Sequence, residues 1–325
     1  MLSWKDVQQA RERIRPFAVR TPLLRAPALD AWLGCQVYLK PEMLQRTGSF
    51  KVRGASSRMT LLTEEERGRG VVTASSGNHA KAVAYVAQCL GIDATVIMPE
   101  NPNPAKLEGI RKLGAKVLFC GTQTGERTAK ARQLAKEEGY VLVHSHADFY
   151  VLAGQGTIAL EVLEDEPELT AIVTPVGGGG LISGTATAAK AIQPSIRVFG
   201  AEPAQAPRYA KSLEAGKALT IQTGYTIADG TWCSHADAGN FELIRQRVDG
   251  LFQAEETSIQ SAVALCVAEA KLVAEPSSVL GIAAAMEGKL PVRPEDKVCF
   301  VLTGGNNDLA VLERALRCGT GFQEG

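Results

Sequence analysis

Lys51 lies in the stretch Gln45-Arg46-Thr47-Gly48-Ser49-Phe50-Lys51-Val52-Arg53-Gly54-Ala55. An isolated lysine is normally a solvated surface charge. Here small residues precede it, the aromatic Phe50 abuts it, and Gly54-Ala55 follow. That composition suits a backbone packed close to a flat ligand better than it suits a surface helix. A lysine held in such a pocket can lose its proton and act as an imine-forming amine. Three glycine-bearing stretches far away in sequence would complete a site for a phosphorylated ring: Ser75-Ser76-Gly77-Asn78-His79, Gly177-Gly178-Gly179-Gly180 and Thr303-Gly304-Gly305-Asn306.

The four glycines follow a predicted strand and open a predicted helix. Consecutive glycines there can turn several backbone N–H groups toward an anion, and the helix N-terminus adds a positive dipole. A tight turn without a ligand is the plainer alternative. The spacing fits neither GxGxxG nor GxxxxGK[ST], which disfavours dinucleotide and P-loop readings. Ser75 to His79 also lies between a strand and a helix. Read alone it is a good N-cap; beside Lys51 and the glycines it becomes a carboxylate site. Thr303-Gly304-Gly305-Asn306, read alone, is only a turn.

These stretches need elements to hold them. From 70 to 143 the pattern is regular: strands at 71–74, 94–98, 116–119 and 141–143, with helices at 77–90, 104–113 and 127–138 between them. The alternation resumes with helices at 155–163, 181–192 and 259–273 and strands at 171–173, 197–200 and 298–302, while 204–240 reads as irregular. Such alternation means parallel sheets with helices on their faces. The expected fold is α/β with two open parallel-sheet domains. Residues 1–53 and 147–325 would form the larger, and 54–146 the smaller and mobile one. A ligand would lie between them at the carboxyl ends of the strands.

At 325 residues, with 45% apolar and 22% charged residues, the composition is that of an ordinary soluble protein. The formal net charge is zero and the basic residues form no stripe, so neither nucleic acid nor a membrane surface is expected as a partner. Seven scattered cysteines without a C-x-x-C pair point to reduced thiols and a cytoplasmic location. No apolar run approaches the ~20 residues of a membrane span.

GSFKVRGA, SSGNHAKAVA, PVGGGGLISG, AEP at 201–203, TIADG at 226–230 and LTGGNNDL together resemble the pyridoxal-phosphate enzymes of the tryptophan-synthase-β fold. The branch is that of threonine/serine dehydratases and serine racemase, and the likeness runs over nearly the whole chain. It implies pyridoxal 5'-phosphate as cofactor, a small amino-acid substrate and a homo-oligomer such as a homodimer. Residue by residue, it implies that Lys51 bonds the cofactor and removes the Cα proton, and that Phe50 packs by the ring. Gly177, Gly178, Gly179, Gly180 and Leu181 would hold the phosphate, Asn78 the ring hydroxyl, and Thr303 would face the pyridine nitrogen. Ser75, Asn78 and His79 would contact the substrate carboxylate. Ser76 takes the position that serves racemases as the acid/base opposite the lysine.

A threonine hydroxyl cannot keep the pyridine nitrogen protonated as a carboxylate would, so the ring is a weaker electron sink and loss of a β-leaving group is favoured. The expectation is therefore β-elimination of a hydroxy amino acid such as L-threonine or L-serine, giving a keto acid and ammonia. Racemisation of serine or a relative is the rival, as is dehydration of 3-hydroxyaspartate or phenylserine. β-Replacement is disfavoured by GSFKVRGA and SSGNH, and a non-catalytic cofactor carrier by the intact Lys51. Racemases of this branch hold a divalent cation by the glutamate of AEP, and here the third ligand position falls on Arg208. The expectation is no metal, with Arg208 pairing Glu202 instead. His144, His146 and Asp148 have metal-like spacing, but a non-metal role is expected, with His146 as a pocket wall. Trp232 and Cys233 are expected to reshape the substrate pocket, and Arg127 is a candidate for a substrate carboxylate.

Overall fold

The structure is a computed structural model that describes residues 2–319. Its larger sheet has the strand order β1 (Leu24–Arg25), β2 (Gln36–Pro41), β10 (Lys297–Leu302), β7 (Ala171–Pro175), β8 (Arg197–Pro203) and β9 (Gly250–Ala254). Only β1 runs antiparallel to its neighbour; the other pairs are parallel. The smaller sheet, wholly parallel, has the order β5 (Lys116–Phe119), β4 (Ala94–Met98), β3 (Val71–Ala74) and β6 (Val141–Leu142). The central strands β4, β7 and β10 are near-continuous apolar runs because helices cover both faces. The smaller sheet draws its strands from residues 71–142, and the larger from both sides of that segment.

Fourteen α-helices complete the described residues. The chain opens with α1 (Trp4–Ile14), whose capping box pairs Ser3 with Asp6, and α2 (Pro27–Leu33). Next come α3 (Lys51–Met59), α4 (Glu64–Arg69), α5 (Asn78–Leu90), α6 (Pro104–Arg111) and α7 (Thr124–Glu137). The larger unit then adds α8 (Phe149–Asp165), α9 (Gly180–Ile192), α10 (Arg208–Glu214), α11 (Ala238–Arg247), α12 (Glu256–Ala268), α13 (Leu280–Met286) and α14 (Leu309–Arg317). None of the described helices is long and apolar enough to cross a membrane.

The sequence reading departs from these elements in four places. Lys51, where the composition suits a surface helix poorly and no helix is predicted, is the first residue of α3, a helix buried along most of its length. Poor surface-helix composition was the wrong test for a helix with almost no surface. The helix predicted from Gln155 begins at Phe149, because the Asp148 carboxylate accepts from the N–H groups of Tyr150 and Val151 at 2.9 and 3.0 Å. The region 204–240 is not wholly irregular: it contains α10. The helix predicted to reach Val273 stops at Ala268, and Lys271 is left with a φ of 57°.

Two contacts fix α3. Val52, Ala55 and Met59 enter the core of the smaller sheet beside Val83 and Val96. The other face carries Arg53, fully buried, whose guanidinium reaches Glu42 (2.7 and 2.8 Å) and Glu161 on α8 (2.7 and 2.8 Å). Lys40, on β2, also bonds Glu161, at 2.6 Å. Two cations and two carboxylates thus share one dry cluster two residues from Lys51. Breaking such a cluster from one side leaves a buried unpaired charge and costs about 3–5 kcal/mol.

Candidate active site

The motifs far apart in sequence meet at the carboxyl ends of both sheets. The Lys51 stretch pairs with the loop that follows β10: Ser49 bridges Gly304, and the Phe50 N–H donates to the Thr303 carbonyl at 3.0 Å. Asn306 then reaches across, donating to the Thr47 carbonyl at 2.9 Å and to the Asn78 side-chain oxygen at 2.7 Å. A cavity of ≈ 220 Å³ opens among these pieces. Phe50, Lys51, Ser75 to His79, Gly177 to Leu181 and Thr303 all line it, so every site residue expected from sequence comes to one place.

The Lys51 ammonium donates to the Ser145 carbonyl at 2.9 Å and lies 5.1 Å from the centre of the Phe50 ring. Burial pulls its pKa down to about 8, against the pull of Cys233 and Glu275. A lysine near 8 supplies a neutral, nucleophilic amine in quantity at physiological pH.

Opposite it stands the glycine loop. Gly179 caps α9 in the left-handed region at φ +86°, and a side chain there would collide with the Tyr209 hydroxyl. At Gly178 a methyl group would fall inside the His146 ring. The backbone is held from behind: the Tyr209 hydroxyl and the Asn240 amide both donate to the Gly178 carbonyl, at 2.9 and 2.8 Å. With the Gly178 carbonyl bound on that side, the loop is a preformed cradle at the N-terminus of a 13-residue helix.

Ser75 and Ser76 lead into the other helix start. Gly77, not a serine, is the N-cap of α5, and no side chain caps it. The first N–H groups of α5 therefore lack a capping side chain. His79 contributes no charge: burial, reinforced by Lys51, pulls it down to about 3, and its Nε2–H donates to the Val143 carbonyl at 3.0 Å.

Glu275 was not foreseen. Buried in the wall, it accepts from the Asn78 amide at 2.8 and 3.1 Å, and burial pushes its carboxyl up to about 7. No sequence motif distinguished it from a surface glutamate. Thr303 is also tied, its hydroxyl 3.0 Å from that of Ser278. Arg127 lines the cavity but, among the described residues, its side chain bonds only Thr122 and Thr124. His146 lines it too, with Nδ1 2.8 Å from the Ser145 hydroxyl, and burial holds it well below the ordinary histidine range. Trp232 and Cys233 stand in the wall as expected.

The expected pairing of Arg208 with Glu202 is not made. The carboxylate turns to the N–H groups of Tyr209 and Ala210, at 3.0 and 2.9 Å, and the guanidinium to the carbonyls of Thr231 and Cys233. Among the described residues no cluster of three or more His, Cys, Asp or Glu could hold a metal ion, and Asp148 is spent on its helix cap.

Residues 14–304 match the family described as pyridoxal-phosphate dependent enzyme. The chain belongs to that family. An L-threonine ammonia-lyase of Thermotoga maritima is 40% identical over 319 residues, covering 98% of this chain and 79% of the relative. A serine racemase of Arabidopsis thaliana is 40% identical over 311 residues, 94% of each. Among solved structures, maize serine racemase superposes with a TM-score of 0.92 at 37% identity, over 97% of both chains. The T.th. threonine deaminase gives 0.88 at 41% identity, over 94% of this chain and 99% of that one. The family's cofactor is pyridoxal 5'-phosphate, and the cavity fits it: only glycine is accommodated at Gly178 and Gly179, which leaves a cradle for a phosphate, and a pKa-lowered lysine shares the cavity with it.

Proposed function

We propose that the chain catalyses β-elimination of a β-hydroxy amino acid, by default L-threonine or L-serine, to a 2-keto acid and ammonia. The observation that carries this reading is the convergence of Lys51, the uncapped start of α5 and the glycine loop on one cavity. Threonine ammonia-lyases at about 40% identity support it. When bound, pyridoxal phosphate draws electrons from the substrate Cα and makes its proton acidic.

The residues divide the remaining work. The N–H groups of Gly177 to Leu181 would hold the phosphate. Ser75, Asn78 and His79, the last through its backbone, hold the substrate carboxylate at the N-terminus of α5. Asn78, steadied by Glu275 and Asn306, would hold the ring hydroxyl, and Thr303 would meet the ring nitrogen with no charge to offer. Lys51 takes the Cα proton and returns it to the departing hydroxyl, which leaves as water. The reading includes a homo-oligomer, and a cytoplasmic location supported by seven cysteines that all remain free thiols.

Racemisation is the second reading, favoured by Ser76 in the cavity and by serine racemases among the relatives. Purified protein incubated with L- and D-serine, threonine, 3-hydroxyaspartate and phenylserine should release ammonia and keto acid from an L-hydroxy amino acid. Inversion without elimination would overturn the lyase reading. Borohydride reduction and peptide mapping should find the pyridoxyl label on Lys51; label on another lysine refutes its role. Ser76→Ala should abolish inversion and spare most elimination, because inversion alone needs a proton from the second face.

A further inference from the structure

Arg53 and Arg208 are both fully buried, and they are treated very differently. Every guanidinium nitrogen of Arg53 is bonded, with two carboxylates among its partners. Arg208 makes no ion pair among the described residues, and its Nε and Nη2 have no partner. Its one engaged nitrogen, Nη1, donates to the Thr231 carbonyl at 3.2 Å and the Cys233 carbonyl at 3.0 Å. A buried, fixed positive charge with two idle donors is costly. What it does touch is the back of the strip Thr231-Trp232-Cys233, whose three residues line the cavity.

The helix that carries Arg208 is itself anchored. Glu202, at the end of β8, accepts the N–H groups of Tyr209 and Ala210. Burial holds Glu202 above the ordinary carboxylate range even with Arg208 nearby, so it serves α10 as a hydrogen-bond acceptor more than as a counter-ion. From the same short helix the Tyr209 hydroxyl reaches the glycine loop at Gly178. α10 thus bears on two sides of the cavity at once.

We propose that Arg208 is a positioning residue, whose single engaged nitrogen clamps two carbonyls and so sets where Trp232 and Cys233 stand in the cavity wall. Among the described residues its side chain makes no hydrogen bond to the glycine loop or to Lys51. Loss of the clamp lets the strip swing and leaves the proton-transfer groups in place.

Cys233 is a built-in reporter, and the buried Cys266 and Cys299 are internal controls for general loosening. Protein loaded with pyridoxal phosphate is treated with iodoacetamide and the alkylation of each cysteine is followed by peptide mass spectrometry. In Arg208→Met, Cys233 should react about tenfold faster while Cys266 and Cys299 stay protected, as expected for local opening. A Cys233 rate within about twofold of the parent in a folded variant, or a rise matched by Cys266 and Cys299, overturns the proposal. Should Arg208→Met not fold, Arg208→Lys is read by the same two outcomes, since the lysine chain ends one bond short of the Nη1 position and its nitrogen falls back from the two carbonyls. The kinetic arm rests on the lyase reading: KM for the amino acid should rise, with kcat little changed. A fall in kcat at constant KM contradicts positioning. If no hydroxy amino acid is turned over at all, the lyase reading fails while the labelling result still decides the role of Arg208.

Discussion

Replacing Gly178 by alanine would put a methyl group where the His146 ring now lies. Carbon atoms in contact prefer about 3.5–4 Å, so ring and loop must separate by roughly 1 Å or more. Neither can yield freely. The Asn240 amide donates to the His146 carbonyl at 2.9 Å and to the Gly178 carbonyl at 2.8 Å, tying the two strands of chain together. The loop must therefore tilt, and one or more of its N–H groups will lose their aim at the phosphate. One hydrogen bond to a charged group is worth about 1.5–3 kcal/mol, which predicts roughly 10- to 100-fold weaker binding of pyridoxal phosphate. Fluorescence titration of stripped protein measures this, with pyridoxal as a control, since it lacks the phosphate and should lose much less. The double variant Gly178→Ala, His146→Ala removes the ring that the methyl strikes, and should recover most of the affinity. If the single variant binds within about threefold of the parent, or the double is as weak as the single, the steric argument is wrong.

Glu275 should couple stability to pH in protein stripped of cofactor. Its carboxyl is pushed up from 4.5 to about 7 by burial, with Asp229 adding to the shift and Asn78 and Lys106 opposing it. The folded state then binds more protons than the unfolded between pH 4.5 and 7, so this contribution falls as pH rises through that window. The full shift corresponds to on the order of 3 kcal/mol. His79 works in the opposite sense at lower pH, so the readout is the difference between parent and Glu275→Gln in urea denaturation, not either curve alone. The variant should gain on the parent between pH 5 and 8; a difference independent of pH would refute the assignment. For metal, EDTA followed by Mg²⁺ or Ca²⁺ should leave rate and thermal midpoint unchanged, because a guanidinium occupies the position where a third oxygen ligand is expected and offers no lone pair. A reversible loss with EDTA contradicts this.

What the sequence made legible was backbone chemistry. Glycine at 177–180 after an apolar strand announces a turn with free N–H groups, and the α/β alternation from 70 to 143 announces the smaller sheet. Lys51 stood out by its small and aromatic neighbours. What stayed hidden was the state of individual charges. Arg53, Arg208 and Glu275 look like surface residues in any local window, since the partners that meet them lie up to 197 residues away, as Asn78 does from Glu275. The pairing expected of Arg208 with Glu202 failed for the same reason: nearness along the chain says nothing about which way a side chain turns. α10 was missed because proline and glycine surround it, and α3 because a buried helix need not carry the polar face that marks a surface one.

The cluster of Lys40, Glu42, Arg53 and Glu161 has a consequence for how such a chain can change over generations. Changing any one member alone strands a charge, at about 3–5 kcal/mol, in a protein whose whole margin is about 5–15 kcal/mol. Neutral drift through single steps is therefore closed there, and the cluster can be rewritten only by coordinated changes on β2, α3 and α8 and in the turn after β2. Lys51 stands at the start of the helix so locked. Trp232 and Cys233 belong to no such cluster, and the cavity wall can change there while the lysine stays put.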